Sequence, residues 1–417
     1  MPDVSATIEA TYRSDWGRIV ATLIKFFGDF DLAEECAQEA FTAAVDQWNA
    51  SGIPETPAAW LIQTARNKAI DRIRRRQCYS EKLESLVASG MLRTAEEPDY
   101  DTEDIPDDRL RLIFTCCHPA LAPEMQVALT LRTLCGLGTE QIARAFLVSQ
   151  TTMAQRLVRT KRKIRDARIP YIVPPVKEMP ARLESVLTTV YLVFNEGYVA
   201  TRGLALLRID PCTEAIRLGR LIRTLMEPEP PKEVSGLLAL MLLHDARREG
   251  RYSADGQLIL LEDQDRSLWN RAQIQEGLEL AEAAMNGAPG PYAFQAGIAA
   301  EHCRAVRAEG TDWREILRLY DLLEKVQPSP VVSLNRAVAV AMAESPSRAL
   351  DLIKEIAGGE LKNYHLLHAI RADLLRRIGD SAGAAINYRR ALALVTNSAE
   401  RRFLERRLEE VQASGSQ

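Results

Sequence analysis

The sequence predicts an all-α protein with two small helical domains followed by a larger C-terminal helical domain. Good helix formers such as Ala, Leu, Arg and Glu are abundant along the chain, and apolar residues recur at spacings of three and four. No segment shows the alternating apolar and polar pattern of a strand. A chain of 417 residues is also too long for one ordinary domain.

Two breaks in the helical pattern set the predicted domain boundaries. Residues 79–107 are acidic and contain few large apolar side chains, so this segment is predicted to be a flexible linker. Residues 169–180, IPYIVPPVKEMP, hold four prolines, which stop a helix and indicate a second linker. The predicted domains are therefore 8–78, 108–168 and 181–417.

The composition excludes several classes of protein. No apolar run reaches the roughly 18 residues that cross a bilayer, and the N-terminal segment lacks the basic start and apolar block of a signal peptide. The seven cysteines are scattered without a CxxC pair, which favours a reducing compartment. We therefore expect a cytoplasmic protein that does not bind a membrane.

The first block predicts two helices of opposite charge. DLAEECAQEAFTAAVDQW, 31–48, is amphipathic with an acidic face. PAAWLIQTARNKAIDRIRRR, 57–76, has a tryptophan near its start, and between Leu61 and Arg76 it carries six basic residues against one acid. A basic helix with an aromatic residue suits opened DNA, where bases as well as phosphates are held. A solvated basic helix is an equally good interpretation of this segment alone.

The second block predicts a helix-turn-helix. Thr139 is placed to cap one helix and Ser149 to cap the next, with a short turn between them. Leu147 stands where such turns often carry glycine, so it would add strain of roughly 1 kcal/mol or the turn has another shape. The second helix has an apolar stripe of Met153, Leu157, Thr160 or Lys161, and Ile164. Its opposite face carries polar and basic residues that could contact DNA: Thr151, Thr152, Gln155, Arg156 and Arg159.

The order of these segments closely resembles the extracytoplasmic-function (ECF) sigma factors of bacterial RNA polymerase. DLAEECAQEAF resembles their segment that binds core polymerase, and PAAWLIQTARNKAIDRIRRR resembles the element that opens and reads the minus-10 region. GLGTEQIARAFLVSQTTMAQRLVRTKRKIR resembles the domain that reads the minus-35 element. The resemblance implies two sigma domains, 8–78 and 108–168, with RNA polymerase core and promoter DNA as partners.

The resemblance also implies a role for individual residues. Those facing core polymerase would be Asp31, Glu34, Glu35, Gln38 and Glu39. Those near the opened minus-10 strand would be Trp60, Arg66, Asn67 and Asp71. Those in or beside the minus-35 major groove would be Thr151, Thr152, Gln155, Arg156 and Arg159. Ala154 lies within the last group, at a position that is often polar or basic in the family.

The C-terminal block, 181–417, contains a degenerate repeat. Three triplets share one spacing at offsets of 33 and 35 residues, close to the tetratricopeptide (TPR) period of about 34 residues: Ile316-Tyr320-Leu323, Ala349-Ile353-Ile356 and Ala384-Tyr388-Ala391. Residues 400–411 are predicted to form the capping helix. The block resembles the C-terminal TPR-like extension of one ECF group. This resemblance implies that the extension modulates sigma activity, through a protein or peptide partner or the chain's own sigma domains.

Catalysis, metal and cofactor binding are not expected. Candidate polar residues in the C-terminal block are Asn195, Glu196, His244, Asp245, Glu262, Asp263, Asp265 and His302, and carboxylates there are predicted to pair with Arg247, Arg248 and Arg266. No P-loop, nucleophile elbow or Rossmann fingerprint occurs. Adjacent cysteines, as in Cys116-Cys117-His118, are poorly spaced for a tetrahedral zinc site.

Two other functions stay open at this point. One is a helix-turn-helix regulator with a TPR sensor that acts without binding core polymerase, for which the acidic face of 31–48 would have no use. The other is an enzyme fused to a DNA-binding head, which predicts a ligand-sized polar pocket among residues 195, 245 and 263.

Overall fold

A computed structural model of the chain describes residues 3–81, 108–146, 148–199, 211–253, 257–357, 359–395 and 398–414. These ranges contain eighteen α-helices and no strand, which confirms the predicted all-α class. None of the described helices is long and apolar enough to span a membrane. The chain divides into two compact units, Met1–Glu214 and Ala215–Gln417, which are described separately below. Most of the predicted acidic linker, from 82 to 107, lies outside the described residues.

The first unit begins with a three-helix group and continues through the predicted helix-turn-helix. Its helices are α1 (Val4–Phe27), α2 (Phe30–Ser51), α3 (Pro57–Glu81), α4 (Arg109–Cys116), α5 (Pro123–Thr133), α6 (Thr139–Ala145), α7 (Gln150–Asp166) and α8 (Met179–Val199). Asp29 caps α2 by accepting hydrogen bonds from the backbone of Asp31 and Leu32. The core of α1 to α3 is built on large buried side chains, among them Trp16, Trp48 and Leu61.

Helix α1 also packs against the segment that follows α5. The Tyr12 hydroxyl donates to the Gly136 carbonyl oxygen over 2.7 Å, and the Trp16 ring covers the same glycine. Gly136 has a left-handed backbone (φ 72°), a conformation that glycine adopts without steric cost. The first and second predicted domains are therefore in direct contact within this unit.

Replacing Gly136 with alanine is expected to destabilise the first unit by about 2–3 kcal/mol. The new Cβ would lie 2.9 Å from Trp16 Cδ1 in addition to the left-handed strain. Gly28→Ala is the matched control, because Gly28 has φ 66° and no atom lies within 4 Å of the place that an alanine Cβ would take. Only about 1 kcal/mol of strain is therefore expected there. Hydrogen exchange of the α1 amides in the full chain measures both changes, and equal losses in the two variants would contradict the close packing.

The helix-turn-helix forms as predicted at its second helix. The Ser149 hydroxyl accepts a hydrogen bond from the Thr152 backbone N–H over 3.1 Å, which confirms the predicted N-cap of α7. The predicted stripe is confirmed as well, since Met153, Leu157, Thr160 and Ile164 are the buried residues of α7. Leu147, for which strain in the turn was predicted, lies outside the described residues.

Helix α8 packs on α4 and α5 and so belongs to the first unit. The Arg182 guanidinium donates to the Phe114 carbonyl oxygen over 2.6 Å, and the Ser185 hydroxyl donates to the Cys117 carbonyl oxygen over 2.8 Å. The Thr189 hydroxyl donates to Gln126 Oε1 over 2.9 Å. The prolines of 169–180 predicted a domain boundary there, but the compact unit extends to residue 214 because α8 returns to these helices.

The second unit is a series of helices that pack on one another in chain order. It contains α9 (Pro211–Leu225), which spans the boundary, then α10 (Lys232–Asp245), α11 (Arg271–Met285), α12 (Pro291–Arg304), α13 (Trp313–Val326), α14 (Pro330–Ala343), α15 (Pro346–Ile356), α16 (His365–Arg377), α17 (Ser381–Leu394) and α18 (Ser398–Ser414). The three aligned triplets fall on α13, α15 and α17, every second helix, and seven of their nine residues are buried. This arrangement agrees with a helix-pair repeat, and the TPR assignment stays a prediction.

Candidate functional site

The outward face of α7 carries the residues that were predicted to read the minus-35 element. Thr151, Gln155 and Arg159 are exposed, and Thr152 and Arg156 are half-buried beside them. Arg156 Nη1 lies 3.9 Å from the exposed Glu124 carboxylate, a separation at which a surface ion pair contributes little. Arg156 can therefore reach a ligand without first breaking a strong contact.

The C-terminal half of α7 adds further positive charge to the surface. Arg162, Lys163 and Arg165 are exposed on this half of the helix. Exposed guanidinium and ammonium groups on a helix can neutralise phosphates, and such contacts bind DNA without regard to sequence. The exposed surface of α7 therefore carries small polar side chains near the N-terminus of the helix and cationic side chains further along it.

Helix α3 presents a second polar and basic face. Asn67 and Asp71 are exposed one turn apart, and the Gln63 side-chain amide donates to Asn67 Oδ1 over 3.2 Å. The Trp60 ring is half-buried in an edge contact with Trp48, with ring centroids 5.5 Å apart. The Arg66 guanidinium lies over the Phe26 ring, 5.1 Å from its centroid. Trp60 and Arg66 are thus held by aromatic neighbours, while Asn67 and Asp71 point into solvent.

Part of the acidic face of α2 is paired with α3. Arg72 forms an ion pair with Glu35 and another, over 2.6 Å, with Glu39. Lys68 Nζ lies 3.8 Å from Glu39 Oε2. The Glu35 and Glu39 side chains are 56% and 42% exposed, so both remain available to a partner. Gln38 is exposed between them.

Glu34 does not share this exposed face. Its side chain is 5% exposed and accepts a hydrogen bond from Arg132 Nε over 2.9 Å, while Lys161 Nζ lies 2.9 Å from its other oxygen. Lys161 also lies 2.9 Å from Asp31. Glu34 was predicted to face polymerase, but in this structure its carboxylate joins α2 to α5 and α7.

Arg132 and Lys161 were not among the predicted site residues. Lys161 occupies a position that the sequence places at the edge of the apolar stripe of α7, and its side chain is 10% exposed. A buried cation needs an anionic partner. The position of Lys161 beside the apolar stripe was therefore a sequence signal that it pairs with an acidic residue. Asp108 makes a similar bridge, since its 2% exposed carboxylate pairs with Lys25 of α1 and with Arg111 of α4.

Two protein families match the first unit. Sigma-70 region 2 matches residues 12–78, which lie on α1 to α3, and Sigma-70, region 4 matches residues 111–164, which lie on α4 to α7. The probable ECF RNA polymerase sigma factor SigI of Mycobacterium tuberculosis is 26% identical over 172 residues, 41% of this chain and 58% of that protein. The chain belongs to the ECF sigma factors. Its C-terminal part makes it a sigma factor with a helical extension.

Further comparisons concern the extension of this sigma factor. A family of unknown function matches residues 182–285, from α8 into the second unit. A protein of Rhizobium meliloti (strain 1021), described as uncharacterized, is 45% identical over 398 residues, which is 94% of this chain and 93% of the relative. The similarity to that relative therefore includes the extension as well as the sigma domains. No solved structure matches the chain.

The cysteines of the sigma domains show the chemistry of buried thiols. Cys116 and Cys117 are buried and contact the hydroxyls of Thr133 and Thr130 at 3.2 and 3.7 Å. Burial raises the pKa of Cys117 to about 11 and that of Cys116 further, so both thiols stay protonated at neutral pH. Within the described ranges, no group of three His, Cys, Asp or Glu residues could hold a metal ion.

Two acidic candidates of the extension have structural partners. Asp245 pairs with Arg248, as predicted, and also accepts a hydrogen bond from Gln273 over 2.9 Å. Asp265 caps a short helix by accepting from the Ser267 backbone N–H over 2.9 Å. Both carboxylates therefore stabilise the local fold.

Two of the arginines predicted to pair with carboxylates have other partners. Arg266 donates to the carbonyl oxygens of His302 and Ala305 over 2.8 and 2.6 Å. Arg247 contacts the His244 ring nitrogen Nδ1 over 2.9 Å. Leaving a backbone acceptor unpaired in the interior is costly, which explains the position of Arg266.

Proposed function

We propose that this ECF sigma factor recruits RNA polymerase core to specific promoters and helps to open them, and that its C-terminal extension modulates this activity. The observation that carries the proposal is the face of α7, where Thr151, Gln155 and Arg159 are exposed above a buried apolar stripe. That geometry is suited to a helix lying in the major groove. The protein would act in the cytoplasm, with core polymerase and promoter DNA as its partners.

The exposed acids of α2 support the polymerase part of the proposal. Asp31, Glu35, Gln38 and Glu39 form the available part of the acidic face, whereas Glu34 is withdrawn from it. The α3 residues support promoter opening, because Asn67 and Asp71 are accessible to an opened minus-10 strand, with Trp60 and Arg66 beside them. Capture of unpaired bases repays part of the stacking energy that is lost when a promoter opens.

A double charge reversal, Glu35→Lys with Glu39→Lys, is expected to weaken binding to core polymerase by about 100-fold, or about 3 kcal/mol, because cations would replace the proposed contact anions. Arg72→Ala is the matched control, since it removes the Arg72 ion pairs of both acids, keeps their charge and leaves Lys68 beside Glu39. Binding is measured with purified core, together with promoter-dependent run-off transcription. Equal loss in the two variants would show that the pairing with α3, and not contact with polymerase, is what matters.

The same experiment separates the proposal from a regulator that acts without core polymerase. For such a regulator, the double reversal would leave operator binding unchanged and the wild-type protein would not bind core. A wild-type protein that neither binds core nor supports a promoter-dependent transcript would overturn the proposed function. The partner of the extension is proposed to be a protein, a peptide or the sigma domains themselves.

A further inference from the structure

A cavity of about 770 Å³ lies within the second unit. Its walls include residues 258 and 260–263 and parts of helices α13, α14, α16 and α18. The volume falls in the range of sites that hold a small organic molecule. Three of the polar candidates identified from the sequence line it, namely Glu262, Asp263 and His302.

Most of the cavity wall is apolar. Leu261, Trp313, Ile370 and Phe403 are only partly buried where they line it, and Leu366 is 37% exposed. The His302 and Trp313 rings make a T-shaped contact, with their centroids 5.2 Å apart. Contiguous apolar surface that is left open to solvent and rimmed by polar groups is typical of a binding site.

The charged groups around the cavity are predominantly acidic. Two guanidinium groups, Arg266 and Arg377, face five carboxylates: Glu262, Asp263, Glu309, Asp373 and Glu400. The Arg266 group is occupied by two backbone carbonyl oxygens. The Arg377 group lies 2.7 Å from Asp373 and 3.5 Å from Glu262. Both cations are therefore used within the protein.

Two of the carboxylates have no such partner. The Asp263 and Glu309 side chains are exposed and have no hydrogen bond or ion pair among the described residues, although Glu309 lies near enough to Arg266 to interact with it electrostatically. His302 does not offset their charge, because burial and the nearby Arg247 lower its pKa to about 4 and leave the imidazole neutral at pH 7. The cavity thus combines an apolar wall with an excess of negative charge.

We propose that this cavity binds a small organic cation with an apolar body. The apolar body packs on Trp313, Leu366 and neighbouring side chains, and the cationic group is held by Asp263 and Glu309. The face of Trp313 also attracts a cation. A carboxylate of the same size would be repelled, and a neutral molecule would gain only the apolar contact. This site is independent of the proposed promoter function, since it depends only on groups within the second unit.

Three probes with one carbon chain test the proposal on the full-length protein: octylammonium, 1-octanol and octanoate, each below its aggregation concentration. At pH 7 the amine is protonated and the acid is ionised. Isothermal titration calorimetry is expected to show octylammonium binding about tenfold more tightly than octanol, with octanoate weakest. Equal affinity for all three, or a preference for octanoate, would overturn the proposal.

Two pairs of variants locate the binding. Asp263→Asn with Glu309→Gln is expected to reduce the affinity for octylammonium about tenfold and to leave that for octanol unchanged. Glu282→Gln, an exposed acid outside the cavity, is the charge control. Leu366→Gln is expected to weaken all three probes, whereas Leu268→Gln, 52% exposed and outside the cavity, is not. If the controls weaken binding as much as the test variants, the probes bind elsewhere and the proposal is wrong.

Discussion

An Arg156→Ala variant is expected to lose about 1–3 kcal/mol of binding free energy on its preferred minus-35 sequence and less on other sequences. The guanidinium is half-buried on the outward face of α7, near the N-terminal turns that approach base edges. Arg159→Ala should behave differently. Its exposed side chain lies further along the helix, so its loss should weaken all sequences alike and lower the salt dependence by about one phosphate contact.

Fluorescence anisotropy with a panel of duplexes at several salt concentrations separates these two effects. Arg13→Ala provides the control, since Arg13 is an exposed cation of α1 whose partner is Glu9 of the same helix. An Arg156→Ala variant that weakens every duplex equally would assign this residue to phosphate contact. Unchanged binding in both variants would mean that this face of α7 does not bind DNA.

A Glu34→Gln variant is expected to lower the free energy of unfolding of the first unit by about 3 kcal/mol. The substitution leaves Arg132 and Lys161, which are 17% and 10% exposed, beside each other without the anion between them. Breaking a buried ion pair costs more than forming it contributes, because the remaining charges stay desolvated. Hydrogen exchange of the α2, α5 and α7 amides in the full chain measures the change.

Glu9→Gln is the matched control for this second prediction. It removes a carboxylate from an ion pair within α1 whose side chains are 58% and 60% exposed, so less than about 1 kcal/mol is expected. A Glu34→Gln effect no larger than that of Glu9→Gln would show that the buried contact between α2, α5 and α7 contributes little to stability.

The ion pair between Lys161 and Asp31 limits how the two sigma regions can bind a promoter under the proposed function. Lys161 of α7 lies 2.9 Å from Asp31 of α2, so the helix proposed to read the minus-35 element lies against the region 2 helices. The two promoter elements are centred about 25 base pairs apart, or roughly 85 Å along B-form DNA. Under the proposed function, binding both elements at once requires α2 and α7 to separate, and contact of Asp31 with polymerase would replace its ion pair with Lys161.

Features that depend on residues close together in the chain could be predicted from the sequence. The spacing of Met153, Leu157 and Ile164 defined the buried side of α7, and Ser149 marked its start. Both follow from helical periodicity and from the preference of serine for the N-cap. The helical class and the acidic and basic faces of α2 and α3 could be predicted for the same reason.

Contacts between distant parts of the chain could not be predicted in this way. Glu34 and Arg132 are 98 residues apart, and nothing in the pattern of 31–48 distinguishes Glu34 from the exposed acids beside it. The return of α8 to α4 and α5 was hidden because four prolines suggested a boundary. The sequence drew attention to Glu262, Asp263 and His302, but their apolar surroundings come from α13 to α18, which only the packing brings together.

The position of α8 affects how the activity of a truncated protein should be interpreted. A fragment that stops at residue 180 lacks Val186, Leu187 and Val190, which are at most 3% exposed in the intact chain. It also leaves the Gln126 side chain without the hydroxyls of Ser185 and Thr189. Such a fragment lacks a helix that covers part of the core of the first unit. Loss of activity in this fragment would not separate damaged packing of the first unit from loss of the extension, so a fragment that ends after α8 is the better test of the remaining helices.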